Sequence, residues 1–128
     1  MHADLDAVRF LEADLLGRAV LLLQRSFASP EESVSCRNAA LAIAAGAGVT
    51  GPAGVILGAS AVVGGRNADP RVLRLVSEAW HILESARLIC RDLEQTSGDW
   101  WYLTGAGRQA QASSDPEGEI RLRLAGNP

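Results

Sequence analysis

Hydrophobic positions along the chain fall into four helix-like runs, followed by a stretch with a different rhythm. Over residues 4–27, steps of 100° gather Val8, Leu11, Leu15, Leu16, Ala19, Leu22, Leu23 and Phe27 on one arc, with Asp6, Asp14, Gln24 and Arg25 opposite. Asp4 and Asp6 at one end and Arg25 at the other complement the helix dipole. A long first helix with one buried face is predicted. Ser29, Pro30, Glu31 and Glu32 then supply an N-cap, a proline at N1 and a glutamate for a capping box, which predicts a second helix over about 30–45, ended by Gly46 and Gly48. Its apolar side, with Ala39, Ala40, Ala44 and Ala47, is thin and lets a neighbour approach closely.

Thr50, Gly51 and Pro52 restart a short third helix carrying Val55, Ile56, Leu57, Val62 and Val63 as far as Gly64. Asp69 and Pro70 open a fourth, expected to run to about Gln95, with Val72, Leu75, Val76, Ala79, Trp80, Leu83, Ala86, Ile89, Cys90 and Leu93 filling over half its circumference. Such coverage suits the central helix of a bundle. After Gly98 the rhythm shortens: Asp99 to Leu103 is β-prone, 105–118 is polar and turn-rich, and Glu119 to Leu124 alternates with period two. A hairpin between 99–103 and 119–124, or an extended tail leaning on another subunit, fits that pattern. The expected fold is therefore all-α, a small bundle of about four helices in residues 1–98 with an irregular or β-hairpin extension over 99–128.

Composition narrows the chemistry. All 12 basic residues are Arg, so Schiff-base chemistry and a P-loop lysine are excluded. A net charge of −3 argues against nucleic-acid binding through a basic surface. Two cysteines, Cys36 and Cys90, are too few for a disulfide scaffold or an all-thiolate zinc site, and no H-x-x-x-H or C-x-x-C spacing occurs. The first residues carry no cationic region before an apolar run, so no secretory signal is read and the cytosol is the expected compartment.

Residues 38–65 hold no formal charge over 28 positions. That length would span a bilayer, but Thr50 to Pro52 interrupts it, and each half alone is too short. A buried hairpin packed through small residues, Gly54 and Gly58 among them, is the favoured reading. Gly46, Gly48 and Gly51 form a G-x-G-x-x-G, yet a helix precedes it where a dinucleotide site needs a strand. His81, near Glu78, Glu84 and Ser85, falls in the middle of the solvent face of its wheel. Glu12 and Arg87 fall inside apolar arcs; they either meet as a core ion pair that sets register, reach the bundle edge, or face a partner. Trp100, Trp101 and Tyr102 are consecutive, so in extended chain one face can cap the bundle and the other anchor a partner.

These readings predict a non-enzymatic assembly subunit, a small helical component of a virion or other multi-protein particle. It works through protein contacts as a homo-oligomer or larger assembly, with no cofactor, metal or nucleic acid. The candidate interface is Trp100, Trp101, Tyr102, Gly54 and Gly58. The alternative is a membrane-active protein that inserts the uncharged hairpin 38–65.

Overall fold

The structure, a computed structural model, describes residues 5–29, 31–46, 70–95 and 98–126. Two thirds of these are helical, and the remainder includes one antiparallel sheet of two strands. Among the described residues no helix is long and apolar enough to cross a membrane.

The run expected as one first helix is two: α1 (Leu5–Glu12) and α2 (Leu15–Leu21). Asp14 breaks it. Its carboxylate accepts the Gly17 N–H at 2.7 Å and so caps α2, a role its side chain competes for against a continuous helix. Arg18 completes the break from the other side, donating to the Phe10 and Leu11 carbonyls at 3.0 Å each and satisfying the end of α1. Beyond Leu21 the chain continues as a π-helical segment, Leu22–Ser26, in which the Phe27 N–H reaches back to the Leu22 carbonyl at 3.3 Å. The Leu23 carbonyl, which Phe27 would have taken in an α-helix, instead accepts from Gln111 Nε2 at 2.8 Å; the same nitrogen also serves Phe27 O.

The second helix, α3 (Cys36–Gly46), begins six residues after Pro30, correcting the start expected there. Ser29 to Glu32 closes only a turn, with Glu32 N–H on Ser29 O at 3.0 Å. Residues 33–35 are held extended because Val34 forms a two-way bridge with Trp101, at 2.7 and 2.9 Å. Tertiary pairing here overrides a good local cap. The predicted third helix, Gly54, Gly58, the G-x-G-x-x-G after Gly46 and most of the uncharged stretch lie outside the described residues.

Pro70 does open the next helix, α4 (Pro70–Ser85), but that helix stops ten residues before Gln95. The Leu88 N–H returns to Leu83 O at 3.0 Å, and Arg87 adopts a left-handed conformation with φ 61°, the geometry of a Schellman end with arginine where glycine is usual. The chain then enters β1 (Ile89–Arg91), which pairs antiparallel with β2 (Trp101–Leu103) in the register Ile89 with Leu103, Cys90 with Tyr102 and Arg91 with Trp101. With Val34 bridging β2 on its far side, the order across this small sheet is Val34, β2, β1.

The hairpin is therefore real but its partner strand is not 119–124. That segment belongs to α6 (Pro116–Ala125), following α5 (Gly105–Ala112). Asp115 caps α6 by accepting the Gly118 N–H at 3.0 Å, Pro116 sits at its start, and Glu117 pairs with Arg121 one turn on at 3.2 Å. Those start signals outweigh period-two alternation. Only Ile120 of α6 is fully buried, while Leu122 is 69% exposed.

One core unites these elements. Phe10, Leu22, Leu23 and Phe27 meet Val76, Trp80 and Leu83 of α4, and Leu103, Ala110 and Ile120 from the stretch expected as an extension join the same cluster. The thin alanine face of α3, with Ala39, Ala40 and Ala44 buried, packs on α4. Glu12 and Arg87 both lie at the surface, which corrects the core ion pair. Arg87 follows the end of α4, so the wheel that put it in the apolar arc does not apply to it; Glu12 is the last residue of α1.

Candidate functional site

The three consecutive aromatics occupy the hairpin, and its pleat sends them to opposite faces. Trp101 shares the inner face with Ile89, Arg91 and Leu103 by register. Its ring meets that of Trp80 edge-on, 6.4 Å between centroids at 78°, and Trp80 in turn lies 5.1 Å from Phe27. The Arg91 guanidinium covers the outer side of Trp101 at 5.6 Å. Trp101 is thus a structural cap over the core.

Tyr102 points the other way, across from Cys90, and both are exposed; Trp100 is half-buried. The Asp92 N–H donates to Trp100 O at 2.7 Å, so the backbone ladder continues one step past the named strands. A hydrogen bond with the Cys90 sulfur, then the charge that sulfur carries as thiolate, push the Tyr102 phenol above its ordinary value. At the turn of the hairpin, Leu93 is 87% exposed. The outward face and tip of this hairpin thus present Trp100, Tyr102 and Leu93 without a covering helix among the described residues.

Two aspartates that the sequence reading passed over fix this hairpin to the rest. Asp99 accepts from the Ser35 hydroxyl at 2.9 Å and from the N–H groups of Cys36 and Arg37 at 3.2 and 3.0 Å, capping α3 from more than sixty residues away. Ser35 supplies its own cap to the Asn38 N–H at 3.1 Å. Asp92 takes the Ser33 hydroxyl and the Glu94 N–H, and these bonds hold its carboxyl below the ordinary value, the serine contributing most. The only trace of this in the sequence is a serine at 33 and another at 35 before a helix, with aspartates flanking a β-prone run.

Groups with catalytic potential lie on separate elements: His81 on α4 and Cys36 at the start of α3. His81 is on the exposed side of α4, as its wheel position predicts, with Ser85 Oγ 3.4 Å from Nε2 and Glu84 3.7 Å from Nδ1. The connectivity imitates a nucleophile, base and acid. However, the imidazole is 74% exposed, in water that screens and competes for each contact. Burial first, and the Asp99 charge second, push the Cys36 thiol up to about 12, so it stays protonated and unreactive at neutral pH. Among the described residues no group of three His, Cys, Asp or Glu side chains is placed to hold a metal ion. The Trp80 indole N–H, buried against Phe27 and Trp101, has no acceptor among them either. Set beside known proteins, the chain matches no family model, no curated protein and no solved structure.

Proposed function

We propose that this protein is a non-enzymatic assembly subunit, a helical bundle built around α4 that joins copies of itself through the outward face of the hairpin. The observation that carries this reading is the split of the aromatic triplet: Trp101 is spent on the core, while Trp100 and Tyr102 face away beside Cys90, with Leu93 bare at the turn. Tyr and Trp contribute large contact area at low entropic cost, and they dominate the energetics of interfaces. Rigid backing strengthens the case. The aspartate clamps on residues 33–37 and the Val34 bridge hold this face in place before any partner arrives, which lowers the ordering cost of association.

Sedimentation equilibrium of the full chain from low micromolar concentrations upward tests it. Self-association is expected, and the double variant Trp100→Ser with Tyr102→Ser is expected to stay monomeric with unchanged far-UV circular dichroism. A wild type that is monomeric throughout, or an oligomer indifferent to both substitutions, overturns the reading. Dye leakage from anionic vesicles that is equally indifferent to them would support insertion of the uncharged stretch 38–65 instead.

A further inference from the structure

A second surface, lined by none of Trp100, Tyr102 and Leu93, has the form of a small-molecule site. A groove of about 410 Å³ lies between α1, α2 with its π-helical continuation, and α3. That volume is within the range of ligand pockets, and like them the groove is mainly apolar with a few polar groups. Phe10, Leu21, Leu22 and Ile43 supply the apolar wall, and Arg25, Ser26 and Asn38 the polar groups. Val34 and Ala39 line it beside the polar groups. Arg25 and Ser26 close the π-helical segment and Asn38 is in the first turn of α3, so the polar groups gather where one helix finishes and the next begins. Ala42 and Ile43 lie about a turn further along α3, roughly 6 to 8 Å at 1.5 Å per residue. The π-helical segment itself is a feature concentrated at functional sites.

We infer that this groove binds a small amphipathic carboxylate, its anionic head on Arg25, Ser26 and Asn38 and its hydrocarbon tail against Phe10, Leu22 and Ile43. The charge among these groups selects the head: among the described residues of the lining, Arg25 brings the one formal charge, and it is positive. Arg25 engages another group as well, but a guanidinium has five N–H donors, and a carboxylate needs two of them. Asn38 and Ser26 can donate to the same head. A neutral or cationic head would leave that end of the groove without its match.

Decanoate, held below its micelle-forming concentration, is the probe, and equilibrium dialysis against the full chain is the measurement. Saturable one-to-one binding is expected for decanoate and none for decyltrimethylammonium. Arg25→Gln is expected to weaken decanoate about tenfold and Arg25→Lys to restore most of the loss. Ala42→Trp, at an exposed position on the groove, is expected to abolish binding by filling the tail channel. Both positions are at the surface, and circular dichroism checks that the variants fold. No saturable binding, equal binding of the cation, or full binding by Ala42→Trp overturns the inference. The Trp100→Ser, Tyr102→Ser variant should bind decanoate as the wild type does, which separates this result from that on assembly.

Discussion

Gly107 shows how a single atom decides a local packing. It lies in the first turn of α5 against the Leu88 carbonyl, and a Cβ added there would stand 2.1 Å from that oxygen and 3.0 Å from the Leu103 side chain. The backbone oxygen cannot move freely, because it accepts from the Thr104 N–H and the Thr104 hydroxyl, which anchor β2 to the end of α4. Two effects oppose each other in Gly107→Ala. Alanine gains up to about 1 kcal/mol of helix propensity over glycine, whereas overpacking costs typically about 1 to 3 kcal/mol. With a contact this short the clash wins, and a net loss of about 2 kcal/mol is expected. Gly105, two residues earlier, has nothing within 4 Å of the same added atom, so Gly105→Ala should be neutral or slightly stabilising. Urea unfolding midpoints of the two variants make the comparison, and equal midpoints would show that α5 does not press on Leu88.

At the scale of elements, what the sequence disclosed depended on whether an element's causes were local. The start of α4 at Pro70 and the solvent face carrying His81 were legible because helix periodicity and a proline at the first position act within a turn. The start of α3 was not, since Val34 answers to Trp101 and Asp99 shares the cap of α3 with the local Ser35. Within the candidate site, the division of Trp100, Trp101 and Tyr102 between two faces followed from the strand period, while the clamps that orient the hairpin had no local signal. Alternation in 119–124 misled because Ile120 and Leu124, four apart, fit either period, while Leu122 fits only the strand period and is left exposed in the helix; the cap at Asp115 settles the matter. The Ser33 to Asp92 clamp has a pH signature. Asp92 titrates below its ordinary value of 3.8 in the folded protein, so its contribution is present in full above that ordinary value and is lost as pH falls through the lowered one. Ser33→Ala removes the largest cause of the shift. The stability gap between wild type and Ser33→Ala is therefore expected to be open at about pH 6 and to narrow as pH falls below 3.8 in chemical denaturation; a gap of constant size would mean the serine acts through packing alone.

Over the whole molecule, the division into a helical domain over 1–98 and an extension over 99–128 meets a core that ignores it. Leu103 is 2% exposed and Ile120 fully buried, both within the cluster that holds Phe10, Leu22, Trp80 and Leu83. Gln111 satisfies two carbonyls of the first helical region, and Asp99 caps α3, so polar as well as apolar accounts cross residue 98. Removing 99–128 would delete two large core side chains, each worth about 2 to 5 kcal/mol when cut back to alanine. It would also take away the partner strand of β1 and leave Leu88 and Ile89 without their cover. Those losses rival the roughly 5 to 15 kcal/mol that a domain has in total. The fragment 1–98 is accordingly expected to show no cooperative thermal transition by circular dichroism, and the full chain a single one. A sharp, reversible melt of 1–98 would show that the helices need nothing beyond residue 98 and that the C-terminal helices are an attachment to a finished fold.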